Sequence, residues 1–277
     1  MTDLHVHSNA SDGTDTPEEL LQKIRNSGIK IFALTDHDTI KGTLKLKKII
    51  PSDIKFVKGI EFSCLSKNSK CHILGLNYDE NNKNFQEALK AGEKLRHDKF
   101  YKRIEFLRDE FNVAFTSEDI ENLLKIPSVG KIHLGNLLVE KGLAKNCVEA
   151  MENIVDKCKT GNDKIDAELA ISSINASGGI AVWAHPLGGA REKELPEDKF
   201  QKTLSELKSY GLRGLECYYS KYEYEKCEWL SRVAYENNLL VSGGSDYHGM
   251  NKKIPLGRLN ADNIEINEKL LTILTEI

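Results

Sequence analysis

No two of the six cysteines stand at Cys-x-x-Cys spacing, and Cys64, Cys71, Cys147, Cys158, Cys217 and Cys227 are too scattered to form a dense disulfide framework. That excludes a disulfide scaffold and points to reduced thiols in a cytoplasmic protein. Runs of apolar residues long enough to cross a membrane are missing, as are repeats and low-complexity tracts. Candidate site residues follow Met1 so closely that no signal peptide is expected. Charge of one sign is missing too: 39 basic and 42 acidic residues leave a net charge of -3. Any affinity for nucleic acid would therefore come from a local patch or from bound metals. What remains is a 277-residue chain, 40% hydrophobic and 29% charged, enough for one full-sized core with a smaller appended unit.

The most informative stretch is the first, Asp3-Leu4-His5-Val6-His7 followed by Ser11-Asp12-Gly13. Residues two apart on a strand point to the same side, so His5 and His7 can converge on one ion, with Asp12 reaching back from the loop. A helix follows, opened by Thr16-Pro17-Glu18-Glu19 and ended near Gly28. Strands are expected over 29–34, delivering Thr35-Asp36-His37-Asp38, over 55–60, delivering Glu61, and over 71–76, carrying His72. From 81 to 159 strand signals vanish and helices fit 85–110, 117–125, 131–141 and 147–157, which reads as an inserted all-helical unit. Alternation then resumes, with strands over 179–184, 214–217 and 239–242. The first delivers His185-Pro186, the second carries Glu216, and the third delivers Ser245-Asp246-Tyr247-His248.

Alternation of strand and helix predicts an α/β fold with a parallel sheet, closed or nearly closed into a barrel whose strand ends open on one face. His5, His7, His37, Glu61, His72, His185, Asp246 and His248 lie on those strands or at their ends, with Asp12 beside them, and they use six of the eight histidines. Singly, each is an ordinary hydrogen-bonding, capping or turn residue; jointly they imply a metal centre. Imidazole and carboxylate without thiolate suit manganese, iron or zinc better than magnesium or calcium. So many ligands imply two or three divalent ions, with Glu61 placed to bridge. Asp36 and Asp38 are expected to orient ligand histidines. Tyr218, Tyr219, Tyr222 and Tyr224 read as packing and surface residues, though stacking on a base is conceivable.

Taken together, His5-x-His7 with Ser11-Asp12-Gly13, Thr35-Asp36-His37-Asp38, Gly59-Ile60-Glu61, His72-Ile73-Leu74-Gly75, Ala184-His185-Pro186 and Gly244-Ser245-Asp246-Tyr247-His248 resemble the polymerase and histidinol phosphatase (PHP) superfamily over nearly the whole chain. The resemblance implies a distorted (β/α)7 TIM-like barrel, residues 1–80 and 160–277, with the helical subdomain 81–159 as a cap. It implies a trinuclear site: His5, His7, Glu61 and Asp246 on one ion; Glu61, His72 and His185 on a second; Asp12, His37 and His248 on a third. Manganese is favoured, with iron or zinc as alternatives. The implied activity is phosphoesterase, a metal-bound hydroxide attacking phosphorus in nucleoside 3′,5′-bisphosphates, mononucleotides or short 5′-phosphorylated RNA. Members with such an insertion carry an Arg-Pro-His segment that holds phosphate. The matching stretch here is Gly130-Lys131-Ile132-His133, with a lysine where the arginine stands. Catalytic roles are therefore expected of His133, Lys131 and Asp246, and phosphate contacts of Lys131, His133 and Arg191. The alternatives are a small-metabolite phosphatase, acting on histidinol phosphate or phosphotyrosine, and a non-catalytic metal-binding module. No membrane and no obligate protein partner is expected.

Overall fold

The computed structural model describes residues 1–189, 192–259 and 264–277; Arg191 lies outside them. The chain runs β1 (Thr2–Val6), α1 (Pro17–Asn26), β2 (Ile31–Leu34), α2 (Lys41–Leu46), β3 (Lys55–Leu65) and β4 (Lys70–Leu76). Four helices follow, α3 (Lys83–Phe111), α4 (Ser117–Leu124), α5 (Lys131–Glu140) and α6 (Cys147–Asn153). The chain resumes with β5 (Ile165–Asp166), α7 (Ala167–Ala176), β6 (Ile180–Ala184), α8 (Glu197–Ser209), β7 (Gly214–Tyr219), α9 (Tyr224–Glu236) and β8 (Leu240–Gly244). A short antiparallel pair, β9 (Arg258–Leu259) and β10 (Ile264–Glu265), lies near the end.

Local chemistry accounts for the element starts. At α1 the Thr16 hydroxyl accepts from Glu19 N while the Glu19 carboxylate accepts from Thr16 N, with Pro17 at the first turn. Thr116 and Asp119 repeat the device at α4.

The sheet order is β1-β2-β3-β4-β6-β7-β8, with β5 paired to β3. Its two edges meet: His7 N donates to Tyr247 O (2.9 Å) and Asp246 N to His5 O (2.8 Å), which nearly closes the barrel. Buried Asp3 locks the seam by accepting from Ser245 N (2.9 Å) and Gly257 N (2.7 Å). Gly244 lets the edges approach, because a Cβ there would sit 2.3 Å from the His5 Cβ.

The sheet departs from the expected all-parallel form. β4 runs antiparallel to both β3 and β6, because only residues 66–69 join β3 to β4, a hairpin too short for a parallel crossover. Glu61, expected just beyond a strand, lies within the longer β3, while His72 lies within β4, the strand expected to carry it. The two-residue β5 carries too little pattern to be legible in sequence.

Three apolar clusters form. The main one lies inside and around the barrel, a second under α1 and α2 includes Leu20, Ile24, Phe32 and Leu34, and a third belongs to the helices of 81–159. The 29-residue α3 spans two of them. Phe85, Ala88 and Leu89 pack on the barrel, while Phe100, Ile104 and Leu107 join Leu134, Leu138, Ala150 and Val155.

Candidate metal centre

The barrel mouth draws the nine expected ligand residues into one cluster. Strand β1 places His5 and His7 on the same side, with their Nε2 atoms 3.1 Å apart. Both lie 3.1 Å from Glu61 Oε2, and they lie 3.5 and 3.3 Å from Asp246 Oδ1. The other oxygen of Glu61 faces His72 Nδ1 (2.7 Å) and His185 Nε2 (3.1 Å). Asp12 lies 3.2 Å from His248 Nε2 and 3.7 Å from His37 Nε2. Glu61 thus stands between two groups of imidazoles, its two oxygens divided between them.

This packing fits cations better than hydrogen bonds. A ring nitrogen offers one proton or one lone pair, yet those of His5 and His7 face each other and the same carboxylates. Donor separations of 3.1 to 3.5 Å around His5, His7, Glu61 and Asp246 are near the edge of about 3.4 Å expected for a tetrahedron with bonds of about 2.1 Å. His37 Nδ1 is buried without a hydrogen-bond partner, 3.2 Å from Glu61 Oε2. Three groups of donors, His7-Asp12-His37-His248, His5-His7-Glu61 and His37-Glu61-His72, are each compact enough to hold an ion.

The electrostatics agree. Burial opposes charge on Glu61, but His37, His5 and His72 outweigh it and hold the carboxyl well below its ordinary range. Asp246 is depressed in the same way, against burial, by Lys252, His5 and His248, and Asp12 by His248 and His37. Burial also opposes charge on His7, yet Asp246 and Glu61 push it up to about 9. His37, His72 and His248 are lowered, burial being the largest cause.

Support comes from side chains behind the cluster. Glu216, on β7, accepts from His5 Nδ1 (2.8 Å) and from His185 N (2.7 Å), which orients both residues. In sequence it reads only as a strand residue, so its role was missed; its alternation on a strand beside the histidine-bearing ones was the available signal. Tyr219 donates to Asp246 Oδ2 (2.9 Å), and Lys252 pairs with the same carboxylate. The backbone is strained at the site, with positive φ at Asp38 (50°), His185 (31°) and Asp246 (54°).

The two aspartates expected to orient histidines have other partners. Asp36 accepts from Ser8 N (2.8 Å) and from the hydroxyls of Ser8 and Ser11 (2.7 Å each), and so holds the loop that carries Asp12. Asp38 accepts from Ser63 N (2.8 Å) and takes the Arg96 guanidinium at 2.7 and 2.9 Å.

The cluster opens into a cavity of about 730 Å³ between the barrel and the helices of 81–159. Lys131 lines it, with its ammonium on Asp156 (2.9 Å). His133 is half-buried, its Nδ1 accepting from Gly130 N (2.9 Å), and burial lowers its pKa. Of the four tyrosines, Tyr218, Tyr219 and Tyr222 are buried and Tyr224 is exposed. The Tyr222 hydroxyl accepts from Leu187 N (2.8 Å), a structural use.

A nearly closed α/β barrel whose mouth gathers six imidazoles and three carboxylates defines the class: a barrel with a candidate metal-binding centre at its mouth. The PHP domain matches residues 3–164, and the chain belongs to that family. It is 30% identical to a 5′-3′ exoribonuclease of Haemophilus influenzae over 272 residues, 95% of each chain. It is 28% identical to a phosphoribosyl 1,2-cyclic phosphate 1,2-diphosphodiesterase of Eggerthella lenta, covering 92% of this chain and 97% of that one. A solved structure assigned as a metal-dependent phosphoesterase, from Bifidobacterium adolescentis, superposes with a TM-score of 0.80 at 25% identity, covering 99% and 96% of the two chains.

Proposed function

We propose that this PHP protein hydrolyses phosphoric ester bonds of nucleotides, presented as 3′,5′-bisphosphates, mononucleotides or short 5′-phosphorylated RNA. The observation that carries this reading is Glu61, whose two oxygens serve two groups of imidazoles at the floor of a cavity wide enough for a nucleotide. Relatives named for hydrolysis of RNA and of a phosphoribosyl ester support the same chemistry. His5, His7, Glu61 and Asp246 would hold one ion, Glu61, His72 and His185 a second, and Asp12, His37 and His248 a third; manganese is the first choice, before iron or zinc. Divalent ions so held supply a nucleophile at neutral pH and neutralise charge on phosphoryl oxygens.

The chain's own groups bind and orient. His133 Nδ1 accepts a backbone proton and burial disfavours the charged ring, so its proton sits on Nε2, where the Ser11 backbone is its partner; His133 would have to turn that donor from Ser11 to a phosphate oxygen. Lys131 would exchange Asp156 for phosphate, acting as a point charge where an arginine would act as a fork. Segment 81–159 would serve as a lid that limits water and selects the leaving group, over a barrel of 1–80 and 160–277. Arg191 remains a candidate phosphate contact. All six cysteines are free thiols, which suits a reducing cytoplasm, and among the described residues no helix is long and apolar enough to cross a membrane.

The test is a phosphate-release panel on chelator-treated protein given manganese, iron or zinc. Adenosine 3′,5′-bisphosphate, mononucleotides, 5′-phosphorylated RNA and histidinol phosphate are compared. Metal-restored turnover of the nucleotide substrates is expected; turnover of histidinol phosphate alone, or none with any metal, overturns the reading.

A further inference from the structure

The cavity wall across from the candidate ligands is cationic. Arg96, Lys99 and Arg103 stand three and four residues apart on α3, so they share one helical face, and all three line the cavity. Two of them already have partners. Arg96 is held by Asp38 and by the Ser63 hydroxyl (3.1 Å), and Lys99 holds Asp163 at 2.8 Å. Arg103 does not. Its Nε is buried with no hydrogen-bond partner, and no carboxylate among the described residues forms an ion pair with it. The carboxylates that act on it from a distance, Asp156 and Asp163, are committed to Lys131 and Lys99. Lys164, half-buried just before β5, lines the same cavity and likewise has no ion pair among the described residues.

A guanidinium cannot shed its proton, and the buried Nε of half-buried Arg103 is left without the acceptor that such a donor needs. An anion entering the cavity would meet both of these half-buried cations. We infer that Arg103 and Lys164 form the seat of a second phosphate group on the substrate, apart from the one attacked at the metal centre. The inference rests on the phosphoesterase reading and sharpens its substrate class. Arg96 is tied to Asp38, the neighbour of His37, and Arg103 lies seven residues further along α3, about 10 Å at helical rise. That spacing matches a nucleoside carrying two phosphates, or a nucleotide followed by a diester, with one phosphate at the metal centre and the other at Arg103 and Lys164. Arg103 comes from the insertion and Lys164 from the return to the barrel, so such a substrate also ties the two parts together.

The experiment uses the full chain with Arg103→Met, Lys164→Met and Arg103→Lys. Binding of adenosine 3′,5′-bisphosphate, 5′-phosphorylated diadenylate and AMP to chelated protein is measured by calorimetry. The kcat/KM of each substrate is measured with manganese, and thermal melts show that each variant folds. The preference for either two-phosphate ligand over AMP is expected to fall about 10- to 100-fold in both methionine variants. Arg103→Lys should recover part of it, and the loss should lie in KM. A loss with only one of the two-phosphate ligands identifies which of them the seat serves. An unchanged preference in folded Lys164→Met and Arg103→Met overturns the seat while leaving the hydrolase reading intact. Failure of the wild type to hydrolyse any ester sinks that reading instead, and the binding arm still decides whether the seat exists.

Discussion

Two walls face each other across the cavity, built by opposite means. The barrel wall collects imidazoles and carboxylates from strands and strand ends, every one engaged by another at 2.7 to 3.7 Å. The helical wall presents arginine and lysine from one face of α3 and from the chain before β5, with Arg103 and Lys164 forming no ion pair among the described residues. Strands joined by hydrogen bonds place donors in fixed register, which suits cations that demand short, fixed distances. A helix carrying long flexible cations suits an anion that arrives and leaves.

The sharpest way to break the contrast is Asp246→Ala. It removes a donor shared by His5 and His7 and frees Tyr219 and Lys252. Turnover with added manganese should fall at least about 10²- to 10³-fold, with the far-ultraviolet spectrum retained. Full activity in this variant would refute the barrel wall as the catalytic one.

Glu216→Gln should act less strongly and through position alone. It weakens the hold on His5 while leaving the ligand set intact, and metal affinity, read by titration, should drop about 10- to 100-fold.

The chelated protein should show a pH signature that belongs to the barrel wall. Burial disfavours charge on His7, but Asp246 and Glu61 prevail and raise it to about 9 from an ordinary 6.5. The imidazolium therefore stabilises the metal-free fold fully below the unfolded value, and that stability is lost as pH rises through about 9. Melts of chelated protein should drop across that window, and metal binding should release protons below it, since an ion requires the neutral ring.

The smallest effect is expected away from both walls, in the helical segment behind α3. Thr116→Ala deletes the α4 cap and should cost about 1 kcal/mol, read as faster amide exchange in 117–124 with metal titration unchanged. A change in metal affinity would show that this segment is coupled to the barrel wall.

Local spacing made much of the barrel wall legible. His5 and His7, two apart on a strand, and Asp246 and His248, at the last strand end, announce themselves through residue type and period. Glu216 did not, since a lone acid on a strand carries no such mark until His5, 211 residues away, is folded onto it. The direction of β4 was hidden for a related reason: alternation of strand and helix says nothing about a four-residue hairpin within it. Arg96, Lys99 and Arg103 were hidden differently. A charged helix face normally meets water, and only the tertiary position of α3 turns this one toward a cavity.

Most of the order of elements, the helical interruption and the candidacy of the nine side chains that cluster at the barrel mouth were determined by the sequence, because periodicity and side-chain chemistry are local properties. Only the tertiary structure decided that Glu61 stands between two groups of histidines, that Asp38 holds Arg96 rather than an imidazole, and that Arg103 forms no ion pair among the described residues. Those outcomes depend on which groups remain for each charge after distant segments have closed on one another, and that competition has no trace in neighbouring residues.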